Sequence, residues 1–242
     1  MRVTRSKKME AWALKKIKAH LESRPRSDKG WHVSDLLYAR KTFWRKLDPK
    51  PMTDEEALYF VAGHGHHNIL EACLGKYEKN NRSDAGEFEK HGIFFSPDMR
   101  MKNFTLEIKT SRARKITADV REPIDVYDGY LKQENSYQSL MKQDRGALLV
   151  LFLNAVKDEV KESWKTRPQL RCYKILMDAK ERKKHLTWLF STAKSLTEAV
   201  KTKKCGKLPL CPIWLCKDCV WFAKCKPWLM DPKRKNLQEG RA

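Results

Sequence analysis

At 242 residues the chain suffices for one substantial core, or one core with a small appended lobe, but not for a second large domain. Lys and Arg number 51 against 30 Asp and Glu, and the formal charge of +21 calls for a partner carrying dense negative charge, nucleic acid before all others. No apolar run approaches the roughly 20 residues of a spanning helix and no signal-peptide core opens the chain, so a soluble cytoplasmic protein with no membrane partner is expected.

Lys7 to Leu21 sets Met9, Trp12, Leu14, Ile17 and Leu21 at helical spacing under a basic outer face. This predicts an amphipathic helix that packs on the core or lays its lysines on DNA. Ser23 to Gly30 reads as a turn-rich break. Val33 to Lys46 and Asp54 to Tyr77 are helical by periodicity, and Thr53 with Glu56 forms a capping box for the second. Lys79 to Glu89 is polar and reads as a loop. Gly92 to Phe95 and Phe104 to Lys109 are expected to pair as a hairpin across a polar turn, Arg100 to Asn103. Gly146 to Asn154 is a continuous apolar run of the kind that makes a strand buried on both faces. Gln169 to Met177 alternates like a further strand, with Cys172 in the core. Lys180 to Lys203 reads as a long basic helix with Leu186, Leu189, Phe190 and Leu196 inward; its lysines are solvated or line a DNA path. No internal repeat and no phosphate-cradling glycine loop is present, so ATP-driven unwinding would come from a partner.

The chemistry concentrates at Ser96-Pro97-Asp98 and Phe104-Thr105-Leu106-Glu107-Ile108-Lys109. Side chains alternate along a strand, so Phe104, Leu106 and Ile108 point to the core while Thr105, Glu107 and Lys109 share the other face. A hairpin would bring Asp98 beside Glu107. Mg²⁺ and Mn²⁺ want oxygen ligands, which these carboxylates supply, and such an ion acidifies a bound water and neutralises charge on a phosphodiester. Lys109 would orient that water or steady the charge. The same residues also suit a solvated strand face, since acid-x-Lys spacing recurs at Asp48/Lys50 and Glu181/Lys183.

Five of the seven cysteines follow residue 200, which suits metal ligation in a reducing compartment better than a disulfide framework. One C-x-x-C flanked by single cysteines in an aromatic-rich run (Trp214, Trp221, Phe222, Trp228) suits a [4Fe-4S] cluster, with zinc as the alternative.

On these motifs the chain resembles the PD-(D/E)xK nucleases, specifically the RecB-like branch that holds the AddB nuclease domain and the CRISPR-associated Cas-four proteins. Pro97-Asp98 and Glu107-x-Lys109 match the signature. Gly63-His64-Gly65-His66-His67-Asn68-Ile69-Leu70-Glu71 looks like the helix motif of that branch, and Gln133-Glu134-Asn135-Ser136-Tyr137 is similar to its Q-x-x-x-Y. Cys216-x2-Cys219-x5-Cys225 matches the iron–sulfur ending. The resemblance spans roughly His67 to Cys225. It implies His67, Asp98, Glu107 and the carbonyl of Ile108 as metal ligands, and Gln133 and Tyr137 as braces for substrate or water. As plain sequence, Gln133 and Tyr137 are equally a hydrogen-bonded helix face. Cluster-bearing relatives usually take a fourth cysteine from a segment resembling Tyr38-Ala39-Arg40-Lys41. Here position 39 is alanine, so Cys211 is the expected fourth ligand, with Cys205 and Cys73 as substitutes.

The fold implied is an α/β, restriction-endonuclease-like core, a mixed central sheet flanked by helices. An N-terminal helical lobe (1–80) precedes the core (81–200), and a cysteine tail (201–242) packs on it. The function implied is Mg²⁺- or Mn²⁺-dependent hydrolysis of DNA, single-stranded or at free ends, with a helicase or CRISPR adaptation proteins as partners. The rival reading is a non-catalytic nucleic-acid binder that keeps the fold and the cysteine cluster.

Overall fold

The computed structural model describes residues 6–23, 30–75, 87–101, 103–111, 128–153, 156–157, 164–165, 168–216 and 219–229. Its centre is a four-stranded mixed sheet. β4 (Met99–Met101) runs antiparallel to β5 (Phe104–Ser111), β5 parallel to β6 (Arg145–Phe152), and β6 antiparallel to β9 (Gln169–Leu176). Parallel neighbours need a long crossover. Here it contains helix α5 (Asp128–Met141). β6 is central and buried on both faces, as its apolar run requires, with Leu148 and Val150 at 0 % exposure.

Two helices cover the sheet from opposite sides. Leu106, Ile108, Ala147 and Leu149 face α4 (Asp54–Gly75) through Leu70 and Leu74. Leu148, Val150 and Phe152 face Tyr130 and Leu131 of α5. Thr105 and Glu107 belong to this second face, which packs against α5 with both residues fully buried. The polar face of β5 is therefore interior, not solvated. The close approach of α5 is possible because Gly146 pairs in register with Thr105; a Cβ there would collide with Glu134 Oε1 and Gln138 Nε2.

A second core lies behind α5. The long helix α6 (Ala179–Thr202) buries Leu189, Leu196 and Ala199 against Leu140 of α5 and against Val33, Leu36 and Phe43. Those last residues belong to α2 (Val33–Leu37) and α3 (Ala39–Leu47). α6 opens on a capping box, Asp178 with Glu181, and closes at Lys203 in the left-handed region. α1 (Lys7–Glu22) packs on α4 and links to its start by Lys18–Asp54 at 3.0 Å.

Three expectations are corrected. The helix expected over Val33 to Lys46 breaks at Tyr38 (φ −129°, ψ 58°) into α2 and α3. The hairpin partner of β5 is β4, not the strand at Ile93–Phe95, and β4 takes up the first half of the expected turn. Ile93–Phe95 (β3) instead joins a separate three-stranded sheet between β1 (Trp31–His32) and β2 (Phe88–Lys90), the latter lying at the end of the expected polar loop. Cys172 is exposed on β9, the outer strand, and not in the core. β7 (Val156–Lys157) and β8 (Trp164–Lys165) form a small hairpin. Residues 24–29 of the expected break, 76–77 at the end of the expected helix, 79–86 of the expected loop, and the side chains of Trp214 and Trp228 lie outside the described residues.

Candidate functional site

Asp98 ends the turn that leads into β4, and hydrogen bonding fixes its carboxylate on β5. The Ile108 N–H donates to Asp98 Oδ2 at 2.6 Å, while Oδ1 lies 3.4 Å from His67 Nε2 on α4. The same histidine nitrogen lies 3.1 Å from Glu71 Oε1, one turn further along the helix. His67, Glu71 and Asp98 thus offer three ligand atoms within 4.8 Å of one another. Among the described residues this is the group with metal-holding geometry. Glu71, the acidic end of the matched helix motif, is not among the ligands the resemblance implies, although its i, i+4 spacing from His67 puts both on one helix face.

Glu107 and Lys109 stand on the α5 side of the strand, paired through Glu107 Oε1. Glu107 is 0 % exposed, and its Oε2 is buried with no hydrogen-bond partner. Burial drives its carboxyl well above the ordinary carboxylate range, with Lys109 pulling down and Asp98 pushing up. Burial opposes the Lys109 charge, but Glu107 and then Asp98 outweigh it and hold the ammonium above its usual pKa. The ammonium also lies 5.6 Å from the Tyr130 ring centre. Asp98 lies outside this pair, yet its charge reaches Glu107, Lys109, Glu134 and Tyr137. The Asp98 carboxylate is therefore tied to the Ile108 amide, the residue after Glu107, and its charge is felt by the Glu107–Lys109 pair.

The expected braces lie on α5. Gln133 Nε2 donates to the Tyr137 hydroxyl at 2.7 Å, and Tyr137 is 3 % exposed, stacked on Phe95. Burial, then the Glu107 charge, raises its phenol well above 10. One further acid escaped motif reasoning: Glu134, fully buried, accepts from Thr105 Oγ1 and from Gln138 Nε2 at 3.3 Å. Burial pushes its carboxyl up to about 8. Lys41, His67, Asp98, Ile108 and Lys109 all line one open cleft.

The cysteines form a second site. Cys211, Cys216, Cys219 and Cys225 line one cavity together with Trp44 and Lys41. Trp44 Nε1–H donates to Cys225 Sγ at 2.9 Å. Burial pushes the Cys211 thiol up to about 11. Arg40, 1 % exposed, donates to Cys205 Sγ at 3.7 Å and to the Leu208 carbonyl at 2.6 Å. The segment Tyr38 to Lys41, which lacks the expected cysteine, therefore still abuts this cavity. Cys205 is buried beside it, whereas Cys73 is exposed on α4. No three of the cysteine sulfurs lie within 4.8 Å of one another among the described residues. Trp221 is buried and donates to the Asp48 carbonyl, so it packs and does not present a stacking face.

No family model matches the chain, and no curated protein does. Solved structures do. The crystal structure of SSO0001 shares the fold with a TM-score of 0.55 at 19 % identity, over 90 % of this chain and 96 % of that one. A phage-related exonuclease from Haemophilus somnus 129PT gives 0.50 at 11 % identity, over 72 % and 96 %. The shared feature is the fold, a restriction-endonuclease-like α/β core. Among the described residues no helix is long and apolar enough to cross a membrane.

Proposed function

We propose that the chain is a divalent-metal-dependent deoxyribonuclease of the RecB-like, Cas-four type that trims single-stranded DNA or DNA ends. The observation that carries this reading is Asp98, held by the Ile108 amide at 2.6 Å, 3.4 Å from His67, with its charge felt by Glu107 and Lys109. The donor set fits a hard cation: carboxylates from Asp98 and Glu71, an imidazole from His67, and the buried, unpartnered Oε2 of Glu107. When bound, Mg²⁺ or Mn²⁺ supplies Lewis acidity toward a phosphoryl oxygen and acidifies water. Asp98 is held in place by the strand amide. Burial raises the Glu107 carboxyl, and positive charge beside it, the Lys109 ammonium or a bound cation, favours its ionised form. Lys109 keeps its proton and offers a fixed positive charge to a phosphate. Gln133 braces Tyr137, whose hydroxyl stays protonated close to Glu107. The net charge of +21 and the exonuclease name of one structural neighbour support DNA as substrate.

Cleavage of labelled oligonucleotides with Mg²⁺ or Mn²⁺ tests the assignment. Asp98→Ala and Lys109→Ala should each lose activity by at least about 10²-fold with the fold intact by circular dichroism, Lys109→Ala at a cost in stability because it leaves Glu107 buried without its partner. Cutting at the wild-type rate by either variant overturns it. Wild-type protein that binds DNA with steep salt dependence and never cuts would instead be the non-catalytic binder.

We further propose that Cys211, Cys216, Cys219 and Cys225 hold a [4Fe-4S] cluster. A tetrahedral zinc with bonds near 2.3 Å needs sulfurs only about 3.8 Å apart. No three of these sulfurs lie within 4.8 Å of one another among the described residues, and they line an apolar cavity, which suits a larger body. A buried Arg40 beside them suits an anionic one. Anaerobically purified protein should be brown and carry iron; colourless, zinc-loaded protein overturns the proposal.

A further inference from the structure

The face of α4 that lines the cleft runs Glu56, Tyr59, Phe60, Gly63, His64, His67, the i, i+3, i+4, i+7 stripe of one helix side. His67 closes it at the candidate metal centre. Tyr59 and Phe60 stand earlier on the same stripe with 52 % and 47 % of their surface in solvent. Phe60 is stacked on His64, ring centres 6.3 Å apart at 22°. With about half of each side chain in solvent, neither is a core residue, although the Tyr59 hydroxyl donates to Glu55 Oε1 at 2.9 Å. They lie in the same cleft as Lys41 and Lys109, where a polyanion would seat. The remaining exposed apolar residues of α4, Leu58, Val61 and Ile69, do not line it.

His67 lies seven positions after Phe60, about 10 Å along the axis at 1.5 Å per residue. That is about three stacked nucleotide steps of 3.4 Å. Gly63, between them, puts no side chain in the way. The lysines meet phosphates, and the aromatic pair meets what lies between phosphates.

We propose that Tyr59 and Phe60 form a base-stacking platform that seats a nucleobase of a single DNA strand within a few nucleotides of the scissile phosphate. They act as specificity-determining residues, passing unpaired bases and rejecting duplex, whose bases have no free face. This rests on the nuclease reading of the cleft for its meaning, but not for its test.

The test measures binding in EDTA, by fluorescence anisotropy, of a labelled thymidine oligonucleotide and of its counterpart with abasic sugars throughout. Phe60→Ala and Tyr59→Ala should each weaken binding of the normal strand by about tenfold and leave the abasic strand unchanged, since stacking needs the base. Phe60→Trp should keep wild-type affinity, and Leu58→Ala should change neither strand. Wild-type affinity of Phe60→Ala for the normal strand, or equal losses on both strands, overturns the platform. So does a fall of several degrees in the unfolding temperature of Phe60→Ala, which would make the ring a packing residue. Wild-type protein that shows this pattern yet never cuts with Mg²⁺ or Mn²⁺ defeats the nuclease reading alone and leaves the platform standing.

Discussion

The two faces of β5 are equally buried and chemically opposite. Leu106 and Ile108, at 7 % and 1 % exposure, meet Leu70 and Leu74 of α4. Thr105 and Glu107, both at 0 %, meet the polar side of α5. An apolar face buried this way stabilises the fold by about 1.5–3 kcal/mol per large side chain. A buried carboxylate beside a second buried acid does the reverse, because each ion gives up its hydration. One side of the strand supports the sheet; the other draws on that support to keep charged groups dry and fixed. Catalysis by fixed charges requires such a water-poor setting.

Paired substitutions break the comparison most sharply. Glu107→Leu combined with Lys109→Met removes both charges at once. It should abolish cleavage, a loss of at least about 10²-fold, while leaving stability unchanged or raising it by about 1–4 kcal/mol. Ile108→Ala, one position away on the other face, should cost about 2–5 kcal/mol of stability. Urea unfolding with parallel nuclease assays reads both. If the charge-free double variant is the less stable of the two, the polar face is structural and the contrast between the faces fails.

A smaller effect probes the polar face through pH. The Glu134 carboxyl titrates near 8 in the folded chain against an ordinary 4.5, with burial as cause and with Asp98 raising it further against the pull of Thr105, Gln138 and Lys109. Between those values the unfolded chain has lost a proton that the folded chain retains, so rising pH favours unfolding, and the loss levels off above about 8. The drop across that window should be on the order of a few kcal/mol. Glu134→Gln should flatten it; Glu107, raised in the same sense, adds to any remaining fall, while His185, held down to about 4 by burial, adds a rise up to its ordinary 6.5. A variant whose stability falls as steeply as wild type from pH 5 to 8 would show that Glu134 is ionised where it stands.

How much of this was legible follows from the range of the interactions. Strand alternation has a period of 2, so the shared face of Thr105, Glu107 and Lys109 could be read directly. Its burial could not, because α5 turns Glu134 and Gln138 to the sheet and Ser136 to His185 of α6, polar residues that normally mark a solvated helix side. The hairpin partner was misplaced for a local reason. β4 is three residues long and carries Arg100, so it reads as turn, while Ile93–Phe95 reads as strand but pairs through Ile93 and Phe94 with Trp31 and His32, far away in sequence. The proximity of His67 and Asp98 is likewise long-range, and the family motif, not periodicity, suggested it. Glu71 needed only helix geometry. The cysteine cavity joins the tail to Trp44 and Lys41, a contact that no local pattern encodes.

The smallest effect concerns the helix that serves both the apolar face and the cleft. α4 carries Gly63 and Gly65 in its interior, each a cost of about 0.5–1 kcal/mol relative to alanine. A Cβ on Gly65 would meet nothing within 4 Å, and one on Gly63 would only touch Thr110 Oγ1 at 3.9 Å. Both alanine variants should therefore gain about 0.5–1 kcal/mol in urea unfolding, with no steric penalty to offset it. Activity should separate them. Gly65 is outside the cleft, so Gly65→Ala should cut DNA at the wild-type rate, whereas Gly63 lines it, and its new methyl would stand between the aromatic pair and His67. A raised KM in Gly63→Ala alone would mean that glycine at 63 serves the cleft at the expense of the helix. Equal kinetics in both would leave the two glycines as plain helix defects and place the substrate path elsewhere.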